Sequence, residues 1–143
     1  MKDLLNWIKS EISDNLTQFK EVKVIPHIHV VPDEGGFPAV GIVDAGLTRT
    51  QLPSQQKEKL HIQIGIYNEV LRDESSIIGD AQNSGIEDYI DNIYEHFKSL
   101  VPDGYYNIEM GNESGTETLT KDNENFLVMK SIDMVFYRIK SDY

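Results

Sequence analysis

The strictest constraint on this fold is an alternation of residue types across residues 57–71, KEKLHIQIGIYNEVL. Leu60, Ile62, Ile64 and Ile66 alternate with Lys59, His61, Gln63 and Tyr67. In extended backbone, successive side chains point to opposite faces. A period of two therefore gathers the four aliphatics on one face and the polar set on the other. Three of the four are isoleucines, whose β-branching suits a pleated, half-buried surface. A strand greasy on one side needs a layer to cover it, and the other elements are placed against that need.

Two segments supply helical periodicity. In residues 3–17 and just beyond, Leu4, Leu5, Ile8, Ile12, Leu16 and Phe19 recur at spacings of three and four and form one apolar stripe. Lys2, Lys9, Glu11 and Asp14 fall largely on the other side, and Trp7 beside the stripe reads as packing. A second helix starts at Ser84. Ser84 and Glu87 have the spacing of a capping box, in which each side chain satisfies the other residue's backbone N–H. Ile86, Tyr89, Ile90, Ile93, Tyr94, Phe97 and Leu100 follow at helical spacing, and Pro102-Asp103-Gly104 stops the helix.

The remaining segments read as strands and connections. Residues 22–31 read as a strand, with Pro26 confining it to an edge or a bulge because proline lacks an N–H. Residues 32–36 compose a turn, and residues 38–43 a short strand pairing back as a hairpin. Residues 44–56 carry Gly46 and Pro53 without a period and read as a long connection. Residues 72–83 are ambiguous; residues 75–79 have a composition that could open a short helical turn. Residues 105–110 form a modest strand, and residues 111–125 a polar, acidic loop with little to bury. The last strand, residues 126–139, is apolar on both sides. Val128, Ile132, Met134 and Phe136 share one face; Leu127, Met129, Val135, Tyr137 and Ile139 share the other. That pattern implies an interior strand, or a face covered by another subunit. The expected fold is a single α+β domain over residues 1–143: a mostly antiparallel sheet of about five strands with two helices packed on one face.

Composition narrows the function classes. The chain has 143 residues, no cysteine and a net charge of −11 from 24 acidic and 13 basic residues. Disulfides, thiolate chemistry and cysteine-based zinc sites are excluded. Phosphate binding needs clustered Lys and Arg, so the acidity argues against an ordinary nucleic-acid surface. The amino-terminal MKDLLNWIKSEI carries charge throughout and does not read as a signal peptide. No run approaches the about 20 apolar residues of a membrane span.

Few residues suggest chemistry. His27 and His29 lie two apart on the expected strand face, and His61 has the matching outward parity on the central strand. Such a trio, with Asp33 or Glu34, has ligand types for a divalent metal; the plainer expectation is surface or interface histidines and no metal or other cofactor. The acidic pairs Asp73/Glu74 and Glu87/Asp88 read as a solvated face, because adjacent helical or turn positions point apart. Gly35-Gly36 is followed by neither G-K-[ST] nor G-x-G-x-x-G, and no G-x-S-x-G elbow or EF-hand spacing occurs. Trp7, Tyr89, Tyr94 and Phe97 at helical spacing read as core rather than as a ligand-stacking cluster. No catalysis is expected.

The order and length of DLLNWIKSEISDNL, VKVIPHIHVV, PAVGIVDAG, EKLHIQIGIYNEV, GIEDYIDNIYEHFKSL and FLVMKSIDMVFYRI resemble the tail-terminator family of long-tailed bacteriophages and prophages, also called tail-completion or minor tail proteins. The resemblance implies a homo-oligomeric ring, commonly a hexamer. Such a ring caps the tail tube and offers a face to the head–tail connector, and DNA crosses its lumen only as passing cargo. Its implied partners are copies of itself, the tail-tube protein and the connector protein, with no membrane. Its implied place is the virion, or the host cytoplasm during assembly. An acidic lumen would keep DNA from sticking. Segments 44–56 and 111–125 and the second apolar face of the last strand become the expected assembly surfaces, represented by Leu47, Arg49, Leu52, Met129, Val135 and Tyr137.

Overall fold

The computed structural model describes residues 1–69, 75–79, 84–120 and 126–141. Helix α1 (Lys2–Asn15) is followed by β1 (Glu21–Val24), β2 (Ala39–Leu52) and β3 (Gln55–Glu69). Then come the single turn α2 (Ser75–Ile78), α3 (Ile86–Phe97), β4 (Asn107–Glu113), β5 (Glu117–Thr120) and β6 (Phe126–Ser141). The strands form one sheet in the order β1-β2-β3-β6-β4, with β5 also pairing on β6. All pairs are antiparallel except β1 with β2. The protein is thus α+β, with six strands among the described residues and helices packed against the sheet.

The alternation in β3 decides the main core. Leu60, Ile62, Ile64 and Ile66 meet Val40 and Ile42 of β2 and Val128, Ile132, Met134 and Phe136 of β6 on one face. Leu4, Ile8 and Ile12 of α1 cover this face together with Ile86, Ile90, Ile93 and Phe97 of α3. Each such side chain contributes about 1.5–3 kcal/mol by leaving water. Trp7 packs edge-on against Phe97 and Phe136, with ring centroids 6.0 and 6.1 Å away. His96 of α3 reaches Glu11 of α1 at 3.1 Å and ties the two helices together.

The opposite face is covered differently from the expectation. The strand read over 22–31 ends at Val24. Ile25 makes one more backbone bond, to Ile42, and then residues 25–38 cross the second face of the sheet as a strap. The crossing carries the chain back to its starting end. β2 therefore joins β1 in parallel rather than as a hairpin. Ile25, Ile28 and Phe37 of the strap bury Ala39, Val43, Tyr67, Leu127 and Met129. Of the apolar residues in 22–31, Ile25 and Ile28 belong to this second core and Val31 packs against it, whereas Val24 and Val30 are exposed.

Residues 44–56 are not a loose connection but the far half of a long hairpin, with Leu52 paired to Gln55 around a turn at Pro53-Ser54. A bulge between Asp44 and Gly46 shifts the register. Gly46 takes φ 114°, which favours glycine, and its N–H donates to the Asp44 carboxylate at 2.9 Å. Residues 111–120 likewise carry the end of β4 and all of β5. At α3 the N-cap is Gly85 rather than Ser84. Asp88 accepts the Gly85 N–H at 2.9 Å, while Glu87 bonds the buried Lys130 at 2.7 Å. The expected end of the central strand at 70–71, the ambiguous stretch at 72–74 and 80–83 with its pair Asp73/Glu74, and loop residues 121–125 lie outside the described residues.

Candidate assembly surface

Strands β2, β3 and β6 remain hydrogen-bonded beyond the last fully buried apolar side chains, Leu60 and Phe136. The pairs run out to Leu52↔Gln55 and Gln55↔Ser141, about 17 Å past Leu60 at 3.4 Å per residue. In this three-stranded tongue Arg49, Thr50, Gln51, Lys57, Lys59, Ile139 and Lys140 are exposed. Five basic residues (Arg49, Lys57, Lys59, Arg138 and Lys140) stand here against one carboxylate, Glu58, in a chain with only 13 basic and 24 acidic residues.

Glu58 holds the base of the tongue together. It is 1% exposed and takes Arg49 Nε at 3.0 Å on one oxygen and Arg138 Nε at 2.9 Å on the other. Burial would raise the carboxyl's pKa. The hydrogen bonds and charges of Arg138 and Arg49 outweigh it and hold Glu58 below the ordinary carboxylate value. Arg138 also donates to the Tyr105 hydroxyl at 3.2 Å and lies over its ring. One carboxylate thus joins three adjacent strands and the α3–β4 connection.

Beyond the strap, the second face of the tongue has no layer over it among the described residues. Thr48, Thr50, Lys57, Lys59, Tyr137 and Ile139 share it by register. Lys59 lies over the Tyr137 ring at 5.6 Å, and Tyr106 packs beside Tyr137. The Tyr137 hydroxyl donates to Glu109 at 2.5 Å, which raises the phenol pKa.

The six expected surface residues do not form one patch. Val135 and Tyr137 belong to this second face, part-buried. Met129 shares their parity but is 2% exposed beneath the strap, so at this level β6 is an interior strand covered by the chain itself and not by a second subunit, the first of the two expectations for its doubly apolar pattern. Leu47 points to the helical side and packs against the main core, Arg49 beside it is held by Glu58, and Leu52 sits at the hairpin end.

The histidines are also dispersed. His27 and His29 lie in the strap rather than on a strand face, with ring centroids 5.1 Å apart. His27 accepts the His29 backbone N–H at 3.1 Å, and His29 reaches Glu117 of β5 at 3.2 Å. His61 pairs with Thr48 at 3.3 Å on the open face, four residues along β3 from Gly65, where Ile28 of the strap rests. That separation is roughly 13 Å along the strand. No cluster of three or more His, Cys, Asp or Glu able to hold a metal occurs among the described residues.

Two clefts flank the sheet. A cleft of about 370 Å³ lies between Asp3, Trp7, Asp103, Tyr105 and Arg138. A wider groove of about 750 Å³ runs between α3 and the β4 edge, lined by Asp91, Tyr94, Glu95, Gly111, Asn112 and Glu113. Tyr94, expected in the core, is instead 40% exposed at this groove, whereas Phe97 is fully buried. Reading the sequence for metal and catalytic motifs missed both the Glu58 clamp and the basic tongue. The visible signal was slight: Lys57 and Lys59 flank Glu58 at the start of the central strand, at alternate positions that share one face.

No protein-family model matches this chain, and no curated protein matches it.

Proposed function

We propose that this chain is a structural subunit of the tail-terminator type. It assembles as a homo-oligomeric ring, expected to be a hexamer, that closes the end of a tail tube and presents a face to the head–tail connector. DNA passes through the ring, and no bond is made or broken. The observation that carries this reading is the tongue. Three strands extend about 17 Å beyond the core that stabilises them, exposing lysines and Ile139 to solvent. Side chains that bury nothing within the monomer add little to its stability, but they suit a subunit that meets neighbours.

The segments that carry the family resemblance fall on α1, β1, β2, β3, α3 and β6 in that order along the chain, with residues 25–31 of the second segment in the strap, and this order supports the same reading. The strong overall acidity fits a lumen that DNA must cross without binding. The test is light scattering on the purified chain, followed by electron microscopy after mixing with tail tubes that lack a terminator. A ring in solution or on the tube end is the expected result. A chain that stays monomeric and leaves tube ends bare sinks the reading.

A further inference from the structure

We infer that the basic tongue of one copy docks in the acidic groove between α3 and β4 of the next copy, making a head-to-tail contact. The inference deepens the ring reading above and rests on it. Its starting point is the uneven distribution of charge. The chain carries −11 overall, yet the tongue bears Arg49, Lys57, Lys59, Arg138 and Lys140 against Glu58 alone. The negative excess therefore lies elsewhere on the molecule. Part of it lines the groove, where Asp91, Glu95 and Glu113 are all exposed.

The two surfaces match in spacing as well as in sign. Lys57 and Lys59 are two positions apart on one strand face, so their Cα atoms are about 7 Å apart. Asp91 and Glu95 are four positions apart on one helix, about 6 Å along its axis. Beside the lysines stands Ile139, 47% exposed; beside the carboxylates stands Tyr94, 40% exposed. Each surface is thus an apolar side chain flanked by charges, and the charges are opposite. Among the described residues Lys57 and Lys59 have no carboxylate partner; Lys59 instead lies over Tyr137. Within the groove, Glu95 is held by Lys98 at 2.6 Å, and Glu113 lies 3.9 Å from Lys130, which bonds chiefly to Glu87. Asp91 has no cation among the described residues, so the groove keeps net negative charge.

Tongue and groove are different patches on one molecule. A contact between them is heterologous, and repetition generates a ring if the rotation closes. Nucleic acid is the obvious competitor for a lysine-bearing tongue. Charge complementarity to the chain's own groove favours a second copy, because DNA approaching the tongue would also meet the surrounding acidic surface.

The test exploits this asymmetry. One variant carries Lys57→Glu and Lys59→Glu; the other carries Asp91→Lys and Glu95→Lys. Each alone sets like charges against each other in every tongue–groove contact. Each is expected to need at least ~10-fold more protein to assemble than wild type, by light scattering. Mixed in equal amounts the two variants are complementary in both directions, so assembly returns as an alternating ring. Circular dichroism of each variant checks the fold, and the milder Lys57→Gln/Lys59→Gln pair repeats the first arm. As a second measurement, Ile139→Cys and Tyr94→Cys are combined in a chain that has no other cysteine. Mild oxidation is expected to give covalent ladders between copies.

Restored assembly in the mixture, with cross-linking, upholds the docking. Rings that persist unchanged through both reversals, without the cross-link, overturn the docking and leave the ring reading standing. A wild-type chain that stays monomeric, leaves tube ends bare and forms no cross-link overturns both. Loss of binding to a double-stranded DNA fragment on reversing the lysines, with assembly intact, assigns the tongue to nucleic acid and overturns the proposal.

Discussion

Gly41 and Gly65 face each other across the β2–β3 ladder, and the side chains of Ile25 and Ile28 occupy the space their missing side chains leave. A Cβ on Gly65 would collide with Ile28 and stand 2.8 Å from the Tyr67 hydroxyl. The strap can therefore lie flat on the sheet only because two adjacent strands are bare at the same level.

Gly65→Val should destabilise the fold by about 1–3 kcal/mol, the usual cost of forcing extra volume into a packed contact. Urea denaturation measures it, and amide exchange should show the strap loosening first. Gly115→Ala serves as the control, since nothing lies within 4 Å of a Cβ there. Equal losses at both positions would refute the strap's dependence on the bare pair.

Tyr67 anchors the same strap by donating its buried hydroxyl to the Ile28 carbonyl. Burial raises the phenol pKa, so it stays a donor across the neutral range. Tyr67→Phe leaves that carbonyl without its donor and should cost about 1–2 kcal/mol. Chemical denaturation gives the number, and proteolysis within 25–38 should quicken in step.

Glu58→Gln removes the charge between Arg49 and Arg138. Breaking a buried ion pair costs about 3–5 kcal/mol, but Arg49 is largely exposed, so about 2 kcal/mol is expected. The pH dependence has a definite sign. A carboxyl whose folded pKa is lowered adds stability above its unfolded value, near 4.5, and loses it as the pH falls through the folded value. Wild type should therefore lose stability more steeply than Glu58→Gln as the pH drops below 4.5. Parallel stability curves for the two proteins would refute the assignment.

The N-terminus of α3 separates two capping arrangements. Asp88→Ala removes the carboxylate that accepts the Gly85 N–H and should cost about 1 kcal/mol. Ser84→Ala should be near neutral. The opposite ranking in thermal unfolding would return the cap to Ser84 and Glu87.

Periodic segments were legible from the sequence because their period records burial directly. The stripe of Leu4, Ile8 and Ile12, the run from Ile86 to Phe97 and the alternation from Leu60 to Ile66 each name the face that packs, and all three meet in one core. The same logic failed at residues 44–56. There the ladder continues with most side chains exposed and only Leu47 packed against the core, and a strand that buries so little leaves no apolar period. It misled at residues 22–31, where only residues 22–24 lie in β1 and the buried Ile25 and Ile28 belong to a strap.

By itself the sequence determined the α+β class, the two helices, the central strand and the absence of thiol chemistry, since each follows from residue type and spacing along the chain. Tertiary structure alone decided the parallel entry of β1, the strap over Gly41 and Gly65, the joining of three strands by Glu58 and the gathering of lysines on one tongue. These depend on which distant residues come into register. Register is set by the packing of the whole sheet, because one residue of slip would turn every side chain to the other face.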